Sequence, residues 1–209
     1  MLISVSLAQT AEDKRIADDI VSRHHSYVPS TKVVGRCLKY LCLADGAPVG
    51  TIWIGSFMKP TPKDILRRIG VSQKQLDVCF NNFADNKKFC MAVALPNAGT
   101  QILRCVRQRV ADDWRDTYGD NLVALFTTIG GGKNGAVYRA DNWEVVGHTA
   151  GLPKGRKSTS MKWDDSAVIK DRFVKPTGED KKIILGTARL GGRKADLASV
   201  RETLGLDLL

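Results

Sequence analysis

The sequence lacks the close cysteine pairs that mark a zinc site or a redox motif. Its five cysteines are widely spread, and no two of them stand in a Cys-x-x-Cys spacing. Most fall inside apolar runs, as Cys37 and Cys42 do. A structural zinc site and a thiol–disulfide motif are therefore not indicated. Buried free thiols in a reducing compartment are the simpler interpretation.

A long hydrophobic run is missing as well. No apolar segment approaches the ~18 residues that a membrane-spanning helix requires. The chain opens without the features of a signal peptide. We therefore expect a cytoplasmic protein that has no membrane partner.

Acidic residues are few relative to basic ones. The 209 residues include 22 Asp and Glu against 32 Lys and Arg, a formal net charge of +10. Such an excess is typical of proteins that bind polyanions, and we expect a nucleic-acid partner, double- or single-stranded DNA. A surplus of lysine that serves solubility alone is the alternative. The hydrophobic fraction of 43% suffices for one globular domain with a core.

The first half of the chain predicts strands around one long helix. The predicted elements are a strand at 2–7, a helix at 11–26, and strands at 37–44 and 49–57. Thr10 is placed to cap the helix, and Asp45-Gly46 favours a hairpin turn between the two later strands. The segment Lys59-Pro60-Thr61-Pro62 then interrupts the pattern before a basic, amphipathic stretch that extends to residue 78.

The second half predicts a crossover between parallel strands. The predicted elements are a strand at 89–95, a helix at 101–116, a strand at 122–129, a helical stretch at 136–140, strands at 142–148 and 182–185, and a helix at 195–208. The order strand, helix, strand over 89–129 predicts a βαβ unit. The overall class is therefore α/β (or α+β), with a mixed central sheet flanked by helices.

The loop that follows the strand at 89–95 is a candidate anion site. A helix that opens after such a strand leaves several backbone N–H groups without partners, and its dipole favours negative charge there. The candidate binding residues are Asn97, Ala98, Gly99, Thr100 and Gln101. A plain connecting loop that binds nothing is the alternative, and the spacing of a Walker loop is missing.

Tyr138 is a candidate general acid because it follows the second of the two predicted parallel strands. A phenol in that position could protonate a leaving group held at the first loop. The alternative is a core tyrosine whose hydroxyl finds a hydrogen-bond partner.

The central segment resembles the core of the GNAT-superfamily N-acyltransferases. Tyr138, Asn142-Trp143 and Gly147 stand where that fold has its Tyr-x-x-x-Gly-Phe-x-x-x-Gly pattern. The loop at 96–101 departs from the usual Arg/Gln-x-x-Gly-x-Gly/Ala sequence. The resemblance implies a GNAT-like catalytic domain over 1–151, with a basic C-terminal extension, 152–209, packed on the same domain. It further implies that the loop holds acetyl-CoA or a related acyl donor.

Within that superfamily, the chain most resembles the phage Mom DNA-modification proteins and the DruA-type proteins of Druantia anti-phage systems. The resemblance covers about 19–157 and is strongest over 111–151. It is carried by Arg23-His24-His25-Ser26-Tyr27, Asn81-Asn82, Asp113-Trp114, the run 135–143, and Gly147-His148-Thr149-Ala150-Gly151. It implies transfer of an acyl-derived (acetamido or carbamoylmethyl) group to the N6 amine of adenine in DNA, an anti-restriction modification.

On this interpretation the target base is flipped out of the duplex or single-stranded. The candidate catalytic residues are Tyr138, His25, Tyr27 and Asp141. Two adjacent histidines at a helix end could instead favour the helix dipole. No tight ligand spacing supports a metal.

The candidate nucleic-acid contacts are Arg139, Lys154, Arg156 and Lys157, which would bind phosphate without reading sequence.

Two other functions stay open at this point. The loop at 96–101, which differs from the usual GNAT sequence, favours a non-catalytic nucleic-acid-binding subunit of a phage-defence or mobile-element system. A GNAT N-acetyltransferase with a non-DNA substrate is the third interpretation, disfavoured by the net charge of +10.

Overall fold

A seven-stranded mixed sheet with helices on both faces forms the described part of the protein. The computed structural model describes residues 1–25, 30–130, 133–149, 182–192 and 195–206. The strands are β1 (Ile3–Leu7), β2 (Cys37–Ala44), β3 (Ala47–Ser56), β4 (Phe83–Met91), β5 (Ala124–Ile129), β6 (Glu144–His148) and β7 (Ile183–Thr187). The helices are α1 (Ala11–His24), α2 (Lys63–Ile69), α3 (Gln73–Val78), α4 (Ala98–Tyr118), α5 (Ala136–Ala140) and α6 (Val200–Thr203). The strand order β1-β2-β3-β4-β5-β7-β6 confirms the predicted mixed α/β class.

The N-terminal elements follow the sequence closely. Thr10 caps α1, because its hydroxyl accepts from the Asp13 amide at 3.0 Å and the Asp13 carboxylate accepts from the Thr10 amide at 3.2 Å. β2 and β3 form the predicted antiparallel hairpin. Asp45 and Gly46 turn it with positive φ angles of 47° and 84°.

Strand β4 lies upstream of its predicted position. We expected residues 89–95, whereas the strand spans Phe83–Met91. Its first half carries the polar run Asp85, Asn86, Lys87 and Lys88, which interrupts the apolar pattern and conceals the strand. β4 is antiparallel to β3 along most of this length.

Helix α4 connects β4 to β5, and these two strands are parallel, as predicted. The helix starts after Asn97, which has a positive φ of 58°, and ends at Gly119, with φ of 78°. The apolar side chains of Ile102, Val106 and Val110 on α4 are buried against the sheet. No helix in the described ranges is long and apolar enough to span a membrane.

The two faces of the sheet carry different helices. Tyr40 belongs to the core cluster under α4, whereas its neighbour Leu41 belongs to the cluster under α1. Because consecutive strand residues point to opposite faces, α1 and α4 lie on opposite faces. Leu125 and Phe126 divide in the same way, between the α4 cluster and a cluster that contains α2, α3 and α6.

The C-terminal part of the chain returns to the sheet. β7 is an inner strand, antiparallel to both β5 and β6, although it lies beyond residue 151. The helix expected over 195–208 is reduced to α6, Val200–Thr203. Gly205, with a positive φ of 63°, turns the chain directly afterwards.

Candidate active site

The parallel strands β4 and β5 pair briefly and then separate. Their ladder covers only Phe83–Asp85 against Ala124–Phe126. At the point of separation, the Thr127 hydroxyl donates to the Asn86 carbonyl at 3.2 Å. On the β3 side the register passes from Ile54↔Asn86 to Trp53↔Lys88, so Lys87 is an extra, bulged residue. Bulges of this kind bend a strand and re-aim its side chains.

A cavity of about 1010 Å³ occupies the region where the two strands separate. Its walls come from the end of α1, the chain after it, β4, β5, the loop before α5, and α5 itself. This volume is at the upper end of the range for ligand pockets. The cavity therefore has room for more than one small ligand.

The α4 face of the sheet contributes Tyr138 to this cavity. The Asn86 side-chain amide donates to the Tyr138 hydroxyl at 2.9 Å. The tyrosine ring packs edge-on against Trp143 and Phe89, with centroids 5.0 and 6.3 Å away. Tyr138 is 8% exposed. Its hydroxyl is therefore held at a fixed position beside the separating strands.

The opposite face contributes Lys88, Cys90 and His25. The Cys90 thiol lies 3.7 Å from the Ile20 carbonyl of α1, so this side of β4 faces α1. Lys88 lies two residues before Cys90 on the same strand, so its side chain points to the same face of the sheet. The cavity is thus lined from both faces of the sheet.

Asp85 is a buried carboxyl group in the cavity wall. It is 4% exposed, and its Oδ2 accepts from the Lys87 ammonium at 2.8 Å. Within the part of the chain that the structure describes, its Oδ1 is buried without a hydrogen-bond partner, as is the Oδ1 of Asn86. Burial raises the pKa of Asp85 to about 6, although the Lys87 charge opposes that rise. A carboxyl group with a pKa near neutrality is suited to accept a proton.

His25 lies at the end of α1, where its backbone amide donates to the Val21 carbonyl at 3.1 Å. Its side chain lines the cavity. Burial, together with the positive charges of Lys88 and Lys133, lowers the pKa of His25 to about 4. The imidazole is therefore neutral at pH 7 and weakly basic, which suits a hydrogen-bonding group better than a general base.

The cavity wall is strongly basic. Its described residues include Lys32, Lys87, Lys88, Lys133 and Lys182, against a single carboxylate, Asp85. A concave surface lined by one sign of charge concentrates ligands of the opposite sign.

The predicted donor-binding residues form the N-terminus of α4 and lie beside the cavity. None of Asn97, Ala98, Gly99, Thr100 and Gln101 is in its wall. Gly99 packs against Val137, which does line it; a Cβ on Gly99 would lie 3.0 Å from a Val137 methyl carbon. The Gln101 amide donates to the Asn97 carbonyl at 3.3 Å. The preceding amides sit in the first turn, where a helix offers no internal acceptor.

Asp141 lies away from the cavity. Its two oxygens accept from the Arg107 guanidinium, each at 2.6 Å, and Oδ2 also accepts from the Trp143 indole at 3.0 Å. This arrangement favours a structural role for Asp141 over the catalytic one that the sequence suggested. Arg139 is exposed on α5 and is also outside the cavity wall.

Four predicted site residues, Tyr27, Lys154, Arg156 and Lys157, lie outside the described residues. Among the residues that are described, no group of three His, Cys, Asp or Glu side chains could hold a metal ion.

Sequence reasoning missed Asp85, Asn86 and Lys88. They stand in a polar run that is typical of a loop, and only the placement of β4 brings them to the cavity. The available signal was indirect: the apolar strand β3 needs a hydrogen-bonded strand on each edge, and residues 84–91 provide the second one.

The architecture is that of the GNAT acetyltransferases. Solved structures with this likeness include aminoglycoside acetyltransferase AAC(6')-Ib. Its complex with paromomycin and acetyl-CoA has a TM-score of 0.51 at 10% identity, over 90% of this chain and 94% of that one. Its complex with coenzyme A has a TM-score of 0.50 at 10% identity, over 90% and 95%. The sequence matches no protein-family model and no curated protein. At such identity the likeness establishes the fold and not the substrate.

Proposed function

We propose that this protein is an acyltransferase that moves an acyl group from a coenzyme A thioester to the N6 amine of adenine in DNA. The observation that carries the proposal is the basic cavity between β4 and β5. It combines Asp85, which has a buried oxygen that no described residue contacts by a hydrogen bond, with the fixed hydroxyl of Tyr138. The GNAT fold supports acyl transfer as the reaction class.

The donor side is assigned to the α4 face. A bound acyl-CoA would supply the acyl group as an activated thioester. The first-turn amides of α4, at Gly99 and Thr100, are suited to its pyrophosphate because helix N-termini attract anions. Because Gly99 has no side chain, Val137 of α5 can pack closely against it. The AAC(6')-Ib structure with acetyl-CoA supports a donor of this kind.

Asp85 and Tyr138 divide the proton transfers. The amine nitrogen attacks the thioester carbonyl carbon, a C–N bond forms, and the C–S bond breaks. Asp85 takes the proton that leaves nitrogen, and Tyr138 gives its phenolic proton to the departing sulfur. The hydrogen bond that Asn86 donates to the Tyr138 oxygen holds the phenol in place for this transfer.

The lysine-rich wall supports an uncharged amine on an anionic molecule as the acceptor. A polycationic acceptor would be repelled by five lysines. The exocyclic amine of adenine is uncharged at neutral pH, and its polynucleotide is an anion. The net charge of +10 and the resemblance to Mom proteins support DNA as the acceptor. The base has to leave the stack to enter the cavity.

The test is a nucleoside analysis of DNA after incubation with the purified protein and acetyl-CoA. We expect an acetylated deoxyadenosine that is absent with the Asp85→Asn variant. An adduct of acetamido mass, formed in cells that express the protein, would instead identify the Mom modification. Unmodified DNA under both conditions, with folded protein, would contradict the proposal.

A further inference from the structure

We propose that Lys88, Lys133 and Lys182 form an anion subsite that holds the phosphate of the acceptor nucleotide. The assignment of this phosphate to the acceptor rests on the proposed function. The subsite lies on the α1 side of the cavity, opposite to the N-terminus of α4.

Lys88 is the innermost member of the subsite. It is 7% exposed, an unusual position for a lysine, and it lies in the cavity wall beside Cys90. Burial lowers the pKa of Lys88 because a desolvated ammonium is costly. An anion that enters the cavity beside this ammonium is attracted to it at short range.

Lys133 and Lys182 come from the other wall. Lys133 follows β5, and its amide lies 3.4 Å from the Gly130 carbonyl. The Lys182 stem crosses Gly130 so closely that a Cβ there would lie 3.1 Å from Lys182 Cγ. The Lys182 amide donates to the Thr149 hydroxyl at 3.0 Å, which fixes the start of β7. Both side chains line the cavity.

His25 shows that the two walls meet. The positive charges of both Lys88 and Lys133 act on its imidazole, and both also act on the Cys90 thiol. Lys88 on β4 and Lys133 beyond β5 therefore approach the same point from opposite sides of the gap. A neutral imidazole at that point can donate one further hydrogen bond to a phosphate oxygen.

The position of this cluster separates it from the donor's phosphates. The α4 N-terminus packs on Val137, on the face that holds Tyr138. Lys88 faces α1, on the opposite side of the sheet, because Cys90 on the same face of β4 contacts the Ile20 carbonyl of α1. Two anion positions on opposite faces fit two ligands, and the second ligand is the acceptor. A nucleotide meets this requirement, whereas a free nucleoside does not.

The test compares the binding of dAMP and deoxyadenosine by calorimetry, with the protein saturated with coenzyme A. We expect dAMP to bind at least about tenfold more tightly, the worth of one charge-assisted hydrogen bond. Lys133→Gln should remove that difference and leave coenzyme A affinity unchanged. Lys182→Gln offers an independent variant, because the buried Lys88 carries a risk of misfolding when replaced. Lys14→Gln, on the exposed side of α1, is the matched control.

Three outcomes would overturn the subsite. One is equal affinity for dAMP and deoxyadenosine, and another is a phosphate preference that survives in both lysine variants. The third is competition between coenzyme A and dAMP, which would assign the lysines to the donor. A retained phosphate preference without any acyl transfer would contradict the proposed function alone.

Discussion

The Asn86 side-chain amide donates a hydrogen bond of 2.9 Å to the Tyr138 hydroxyl, and this bond joins β4 to α5 beside the gap between β4 and β5. Tyr138 was predicted from the sequence as a general acid, but Asn86 was not predicted at all. The bond places the phenolic oxygen in the wall of the cavity. The chemical role of Tyr138 is open to a direct test.

Replacement of Tyr138 by Phe should lower kcat by roughly 10²-fold or more, the usual worth of a general acid. The stability loss should be small, about 1 kcal/mol for one hydrogen bond. Tyr118→Phe is the matched control, because the Tyr118 hydroxyl accepts from the Cys37 amide at 3.0 Å and is outside the cavity wall. Steady-state kinetics and denaturant unfolding on both variants separate the effects. Equal activity of the two variants would remove Tyr138 from the chemistry.

Activity should rise with pH through about 6 as Asp85 loses its proton. Burial raises the pKa of this carboxyl group from the ordinary 3.8 to about 6. The base form is therefore scarce below that pH and complete above it. A profile of kcat/KM against pH should show this rise through about pH 6, and Asp85→Asn should abolish activity. A wild-type profile that is flat between pH 5 and 7 would contradict the assignment of Asp85 as the base.

The raised pKa of Asp85 also makes the stability of the protein depend on pH. The folded protein binds the Asp85 proton more tightly than the unfolded chain does. The protonated Asp85 carboxyl group therefore contributes its full stabilisation below about pH 4, and this stabilisation is lost as the pH rises through about 6. Asp85→Asn should remove this part of the pH dependence of unfolding.

The fold was largely predictable because its apolar periods are regular. The hairpin of β2 and β3 and the cap of α1 at Thr10 followed from local patterns and turn chemistry. Strand β4 was misplaced because Asp85, Asn86 and Lys88 are buried polar residues, whose burial depends on tertiary structure. A functional cavity requires such exceptions to the apolar pattern.

The candidate site was predictable only in part. Tyr138 and His25 were identified from their places next to predicted elements, and both line the cavity. Asp141 had similar sequence support, yet its oxygens bind Arg107 and Trp143. Sequence position alone could not separate these outcomes, because the direction of a side chain after a short helix depends on its packing.

Asp141→Asn should destabilise the protein strongly while the remaining folded enzyme keeps its kcat. Asp141 and Arg107 are a buried pair with side chains 4% and 14% exposed, and loss of one partner in such a pair costs roughly 3 kcal/mol. Asp112→Asn is the control, since its pair with Arg115 is exposed and should contribute less than about 1 kcal/mol. Urea unfolding measures both. A large fall in kcat at unchanged stability would restore Asp141 as a catalytic residue.

The imidazole of His25 should report phosphate binding. In the free protein its pKa is about 4, lowered by burial and by the charges of Lys88 and Lys133. A phosphate between these lysines would offset their charge and raise the pKa of His25. NMR titration of the histidine ring protons with and without dAMP measures the change, and His24→Gln and His148→Gln assign the signals. An unchanged His25 midpoint at saturating dAMP would place the phosphate elsewhere.

The basic residues Lys154, Arg156 and Lys157 remain predicted DNA contacts. Each cation that binds a phosphate should contribute about 1 to the slope of log affinity against log salt. Neutral replacement of all three should reduce the slope by about 3 and weaken binding to every sequence alike. Lys74→Gln, on the exposed surface of α3, is the single-site control. Fluorescence anisotropy over a salt series measures the slopes, and an unchanged slope would assign these residues another role.

The proposed acyl transfer to a DNA amine, at the cavity between β4 and β5, is measured most directly with isotopically labelled acetyl-CoA. DNA is incubated with the protein and the labelled donor, then digested, and the nucleosides are analysed by mass. We expect the label on deoxyadenosine with the wild-type protein and its loss with Asp85→Asn. Label on no nucleoside, although the protein is folded and binds coenzyme A, would contradict DNA as the acceptor. Equal labelling by the wild-type protein and Asp85→Asn would contradict this cavity as the active site.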